Sequence, residues 1–173
     1  MKMKNKPVPI ISALLIKKMS GKIKLFLQER WKPQVSPNYL GLLEIPAGGI
    51  DAYENVYLAL KREVYEECGL KIIRIIDDYR GVILKPSKSD AVFVFRPFVC
   101  QQMLKTEGGL PWIGFVFVCE VAGKIKMNKK EAGNPQWVSI DELKILLEKH
   151  PKKFFPLQLP VLKYFVEKFY EKI

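Results

Sequence analysis

Residues 48–70 read GGIDAYENVYLALKREVYEECGL, and the last third of that stretch decides how the chain is read. On a helix, Arg62-Glu63-Val64-Tyr65-Glu66-Glu67 crowds three carboxylates into one patch, because residues three and four apart are surface neighbours. Like charges at that spacing oppose helix formation by roughly 0.2–0.5 kcal/mol per pair. A chain this rich in lysine has simple ways to neutralise them and leaves the cluster acidic. A local rule broken without local compensation marks a functional site. The missing partner is a hard divalent cation.

The punctuation of the stretch predicts a helix. Asp51 is a good N-cap, Glu54 three residues on completes a capping-box pattern, and Gly69 stands where a C-terminal glycine stops a helix. Val56, Leu60 and Val64 form the apolar stripe that packs inward. The three glutamates fall beside that stripe, at the edge of the core and half sheltered, which suits metal ligands.

Outward from the helix, the chain reads as one domain over residues 1–173, with a loose lead-in over 1–9. Ile11–Lys18 and Lys22–Trp31 form a hairpin through Met19-Ser20-Gly21, Lys32–Tyr39 is a loop, and Leu42–Ile45 is a short strand. Ile72–Leu84, Ala91–Gln101, Trp112–Val121 and Gln136–Ser139 follow as strands. Asp141–Glu148 is a short helix capped by Ser139, and Phe155–Lys172 an amphipathic helix whose aromatic stripe belongs to the core or to a dimer contact. Strands and helices outside strict alternation give an α+β class.

The net charge of +11 favours anionic ligands. The lysines are scattered, without a long run or an arginine-rich arm, so a solvated surface attractive to phosphate-bearing small molecules is favoured over a nucleic-acid footprint. Cys68, Cys100 and Cys119 are an odd set without CxxC spacing, which points to free thiols in a reducing, cytoplasmic setting. Cys68 is read as a buried small residue. No stretch reaches membrane-spanning length, and no membrane partner is expected.

Gly48, Glu54, Arg62-Glu63, Val64, Glu66-Glu67, Gly69 and Leu70 match the Nudix box at every defined position, so the chain resembles the Nudix hydrolase family. The resemblance implies an α/β/α sandwich around a mixed β-sheet. It also implies a metal-dependent pyrophosphohydrolase in which Glu63, Glu66 and Glu67 carry Mg2+ or Mn2+ or activate water, with Arg62 and Glu54 as supports. Independently of the family, magnesium is bound through a few carboxylates plus substrate phosphates. The turn at Ala47-Gly48 can add a backbone carbonyl, and Arg62 can hold Glu66 at i, i+4. Glu54 has capping as its alternative role. The family often adds a fourth carboxylate from a loop ahead of a tryptophan-bearing strand. Glu131 in Glu131-Ala-Gly-Asn-Pro-Gln-Trp137 resembles it, with Glu107 as runner-up and plain surface charge as the alternative.

Leu43-Glu44-Ile45-Pro46-Ala47-Gly48-Gly49 is similar to the segment that leads into the box in ADP-ribose and nucleotide-sugar pyrophosphatases, and Pro86 is similar to a downstream proline associated with ADP-ribose. The short lead-in departs from the N-terminal dimerising strands of many such enzymes, leaving monomer or homodimer open. Trp31, Tyr39 and Trp112 are candidates to stack a base, and Arg30 and Arg96 to meet phosphate, against packing or surface roles for each. The favoured function is cleavage of the diphosphate linkage in a nucleoside diphosphate derivative by in-line attack of a metal-activated water. An RNA 5′-end pyrophosphohydrolase and a non-catalytic nucleotide-sensing module are the alternatives.

Overall fold

The computed structural model describes residues 6–34, 36–77, 83–85, 87–105 and 111–171. Strand β1 (Val8–Met19) turns through Ser20-Gly21 into β2 (Lys22–Arg30). Both turn residues have positive φ, 49° and 80°, the geometry that matches a two-residue turn to the right-handed twist of its strands. Two short strands, β3 (Leu43–Glu44) and β4 (Ala47–Gly49), precede helix α1 (Val56–Cys68). Then come β5 (Lys71–Ile75), a small hairpin of β6 (Ile83–Leu84) and β7 (Val92–Phe93), β8 (Val99–Gln102), β9 (Trp112–Ala122) and β10 (Ala132–Ser139). Helices α2 (Ile140–Lys149) and α3 (Leu159–Glu171) close the chain.

The main sheet runs β10-β2-β1-β9-β5, with β3 on β2, β4 on β1 and β8 on β9. The β1–β9 pairing is parallel and the others are antiparallel, so the sheet is mixed. Period-two alternation along β1 separates two cores. Ile11, Ala13 and Leu15 point toward α1, where they meet Val56, Ala59, Leu60 and Val64. Leu14 and Ile16 point the other way, toward Leu143 and Leu147 of α2 and Leu162, Phe165 and Val166 of α3. The expected α/β/α sandwich is therefore present, and the aromatic stripe of α3 contributes to its core.

Several boundaries differ from the sequence-based expectation. Val8 and Pro9 already belong to β1, so the lead-in is shorter than residues 1–9. Asp51 does not cap α1: Tyr53 has a φ of 63°, which breaks the chain ahead of the helix, and Asn55 is the cap, accepting from Tyr57 N–H at 2.9 Å. Asp51 and Glu54 still make the reciprocal pair, N–H to Oε2 at 3.1 Å and N–H to C=O at 3.0 Å, but it closes a turn. The span 72–84 is not one strand, since β5 ends at Ile75 and Asp77 takes a φ of 54°. The span 91–101 divides into β7 and β8 around Pro97. The α3 helix starts at Leu159, after a 3-10 turn over Pro156–Gln158. Ser139 caps α2 in a complete capping box, as expected.

Gln158 ties the α3 side of the molecule to the segment that leads into β4. Its Oε1 accepts from Ile45 N–H at 2.8 Å and its Nε2 donates to Ile45 C=O at 3.0 Å, satisfying both backbone groups of a fully buried residue. Gln158→Leu keeps the volume and leaves two buried backbone groups unpaired. The expected loss is about 2–4 kcal/mol, or roughly 5–15 °C in Tm, measured by thermal and urea denaturation. A loss under about 1 kcal/mol would mean that Ile45 finds other partners.

Candidate active site

The three glutamates of α1 have unlike surroundings. The side chain of Glu66 is 53% exposed, that of Glu63 12%, and that of Glu67 0%. The expectation that all three lie half sheltered at the edge of the core fails for Glu67, which is fully buried. Glu67 lies seven residues after Leu60 and three after Val64, so the helical repeat carries it onto the buried stripe. Gly69 ends the helix with a φ of 71°, as expected.

Arg62 organises the outer half of the site. It donates to Glu54 through Nε and Nη2 at 2.9 and 2.7 Å, to Glu63 at 2.6 Å, to Glu66 at 3.3 Å and to the Gly49 carbonyl at 3.1 Å. Hydrogen bonding to Glu54 is the largest cause holding the guanidinium well above its ordinary pKa. Glu63 reaches over the β4 turn so closely that a Cβ on Gly48 would push its carboxyl group away from where Arg62 holds it. Burial pushes the Glu63 carboxyl above the usual carboxylate range, against the pull of Arg62.

The inner half depends on residues that the sequence alone did not single out. Glu67 Oε2 accepts from Gln28 Nε2 at 2.7 Å and Glu67 Oε1 from Lys32 Nζ at 2.7 Å. Glu44, also buried, is paired with Arg30 at 2.7 Å. Alternation along β2 was the available signal: Gln28 and Arg30 share the face of Phe26, and Gln28 registers with Glu44 of β3. Burial is the main influence on Glu67 and lifts its pKa, while Lys32 and Gln28 draw it back. Burial alone would lower the pKa of Lys32, but the charge and hydrogen bond of Glu67 outweigh it and hold the ammonium above its ordinary value.

Lys32 also joins the other expected oxygen donors. Its Nζ lies 3.3 Å from the Ala47 carbonyl oxygen and 3.4 Å from Glu131 Oε2. Glu131 arrives there because its loop is docked on the end of α1, with Lys126 N–H on the Cys68 carbonyl and Asn128 N–H on the Glu67 carbonyl, both at 2.9 Å. Trp31 N–H then meets the Glu131 carbonyl at 2.7 Å, and Asn128 Nδ2 steadies Glu131 Oε1 at 2.8 Å.

The donor set suits a hard divalent cation. Glu63, Glu66, Glu67 and Glu131 with the Ala47 carbonyl form an all-oxygen set. Six carboxylates, at positions 44, 54, 63, 66, 67 and 131, face only Arg30, Lys32 and Arg62 in these contacts, inside a chain of net charge +11. Among the described residues, the Oε1 of Gln28 is buried without a partner, an acceptor next to Glu67. As the side chains stand, no three His, Cys, Asp or Glu among the described residues converge closely enough to hold a metal. Lys32 and Arg62 hold the glutamates instead.

The substrate candidates are spread more widely. The Arg30 guanidinium, besides Glu44, donates to Ser36 Oγ at 2.9 Å and stacks 4.5 Å over Phe155. Tyr39 meets Phe155 edge-on at 5.2 Å. Trp31 is 49% exposed beside the Glu131 backbone contact. Arg96 donates twice to the Asp77 carbonyl, at 3.1 and 2.7 Å, and Trp112 opens β9. Glu107 and Pro86 lie outside the described residues. Cys68, Cys100 and Cys119 are not in disulfides; burial pushes the Cys68 thiol up to about 12, which keeps it protonated and unsuited to nucleophilic attack.

The Glu54 carboxyl is drawn from its ordinary 4.5 down to about 2, chiefly by its hydrogen bonds from Arg62. Because the folded-state value lies below the unfolded one, the ionised group stabilises the fold above pH 4.5, and that contribution is lost as the pH falls toward 2. The wild type is therefore expected to exceed Glu54→Gln in urea resistance near neutral pH, with the gap closing through that acid window. A gap independent of pH would refute the assignment.

No curated protein matches the chain in sequence. Among solved structures, the MutT protein of Methanosarcina mazei Go1 superposes with a TM-score of 0.62 at 17% identity, covering 96% of this chain and 98% of that one. A C. elegans Ap4A hydrolase in a binary complex gives 0.56 at 14% identity, covering 95% and 99%. The NUDIX domain of Shewanella oneidensis NrtR, complexed with ADP ribose, gives 0.53 at 13%, covering 87% and 91%. These likenesses establish a shared fold. The NUDIX domain model matches residues 6–158, from ahead of β1 to the turn before α3, and the chain belongs to the NUDIX family.

Proposed function

We propose that this protein hydrolyses the diphosphate linkage of a nucleoside diphosphate derivative, of the ADP-ribose or nucleotide-sugar kind, with Mg2+ or Mn2+ held by Glu63, Glu66, Glu67, Glu131 and the Ala47 carbonyl. One observation carries the proposal: a single cation, the Lys32 ammonium, contacts oxygens from Glu67, Ala47 and Glu131, three segments far apart in the chain. The fold it shares with an ADP-ribose-bound NUDIX domain and an Ap4A hydrolase agrees with a nucleotide ligand. Three cysteines that form no disulfide support a cytoplasmic setting.

A divalent ion held by these residues would supply charge shielding for the phosphates and a lowered pKa for the attacking water. The protein supplies placement. Arg62 holds Glu54, Glu63 and Glu66 in one geometry, and Gly48 lets the β4 turn approach Glu63. Glu131 is 39% exposed and steadied by Asn128, so it can take a proton from water at the rim of the site. In-line displacement at phosphorus asks for positioning and charge stabilisation, which such an arrangement provides. Arg30, Trp31, Tyr39, Arg96 and Trp112 remain candidate substrate contacts, with Arg30 and Trp31 nearest in sequence to Lys32.

The net charge of +11 supports one second reading, a 5′-end RNA substrate, whose binding would fall steeply with salt. Incubation with a panel of nucleoside diphosphate derivatives and capped or triphosphorylated RNA, with and without Mg2+ or Mn2+, separates the two by product analysis. Glu67→Gln is expected to abolish metal-dependent turnover while preserving the circular dichroism spectrum. Glu131→Gln is expected to reduce kcat about 10²-fold or more; near-full activity would remove Glu131 from the mechanism. No metal-dependent product from any substrate would sink the hydrolase assignment.

A further inference from the structure

We propose that Lys32 is a tethered counter-cation that competes with the divalent ion for Glu67, so that metal loading requires the ammonium to swing out. This rests on the metal reading above and adds a component to it. Glu67 has no exposed surface, and an ionised carboxylate in that position must keep a cation beside it. Lys32 is its ion-pair partner at 2.7 Å, and the same ammonium touches the Ala47 carbonyl and Glu131. A divalent ion taking up these oxygens would meet the lysine charge at close range, where repulsion is strong. The two cations therefore exclude each other.

The two basic residues of the site differ in how firmly they are held. Arg62 is fixed by bonds to Glu54, Glu63, Glu66 and the Gly49 carbonyl. Lys32 follows the end of β2, its side chain is 17% exposed, and it carries a point charge on a four-carbon stem that can turn toward solvent. Gln28 belongs to the sheet and keeps its donor on Glu67 whichever cation is present. Lys32 thus supplies the countercharge that permits Glu67 to be buried and ionised when the ion is away, and it weakens the site for the ion in proportion.

The test is Mn2+ binding by the full chain, followed through the free-ion electron paramagnetic resonance signal, with thermal melting in parallel. Lys32→Gln keeps a donor for Glu67 and removes the charge. It is expected to bind Mn2+ about tenfold tighter or more, to melt lower than wild type without metal, and to gain more from added Mn2+. Lys130→Gln, which removes an exposed charge next to Glu131 in sequence, should change affinity by less than about twofold. In the unaltered protein, the Lys32 Nζ resonance should move toward that of a solvated lysine as Mg2+ is added. Mn2+ binding by a folded Lys32→Gln protein that is equal to or weaker than wild type, or an Nζ resonance unmoved by saturating Mg2+, overturns the competition and leaves the metal site standing. Absence of Mn2+ binding in both proteins overturns the metal reading itself.

Discussion

A carboxylate with no exposed surface lies at the centre of the candidate site. Glu67 is carried inward by the same helical repeat that buries Leu60 and Val64, so α1 cannot pack on the sheet without taking the charge with it. An unpaired buried carboxylate would be strongly destabilising, and removing one partner of a buried pair typically costs about 3–5 kcal/mol. Two contacts meet that constraint, Gln28 from β2 and Lys32 just beyond it, while the nearby like charge of Glu44 is offset by its own pairing with Arg30.

The same constraint accounts for the shape of the site. Lys32 can reach Glu67 only if the end of β2 and the β4 turn lie together over α1, and its contact with the Ala47 carbonyl joins them. A side chain at Gly48 would displace the Glu63 carboxyl that lies over that turn. On the far side, the carbonyls left open at the end of α1 are taken by Lys126 and Asn128, and that docking delivers Glu131 to the ammonium. Helix termination, turn geometry and the placing of the fourth carboxylate are therefore one packing problem.

Much of the fold was legible because it rests on local signals. The hairpin at Ser20-Gly21, the cap of α2 at Ser139, the stop of α1 at Gly69 and the inward stripe of α3 all follow from side-chain type and period. Where local signals misled, a backbone detail intervened. Tyr53 in the left-handed region turned the Asp51–Glu54 pattern from a helix cap into a turn, which left Asn55 to begin the helix and Glu54 free for Arg62. Pro97 broke an apparently continuous strand in the same way. Both are cases of a single residue overriding a propensity summed over its neighbours.

The sequence by itself determined the kind of chemistry: three glutamates, an arginine and bounding glycines at helical spacing specify an acidic cluster suited to a hard cation, because the spacing is local and the helix repeat is invariant. Only the tertiary structure decided which glutamate is buried with which cation. Gln28, Lys32 and Glu44 lie 39, 35 and 23 residues from Glu67 in the chain, and nothing in their own neighbourhoods marks them, whereas Glu131, 64 residues away, was legible from the segment that leads to Trp137. Strand register brings Gln28 opposite Glu44, and the docking of the 126–131 loop brings Glu131 to Lys32. Register and docking are settled by how two apolar faces of one sheet are covered, a property of the whole packed chain.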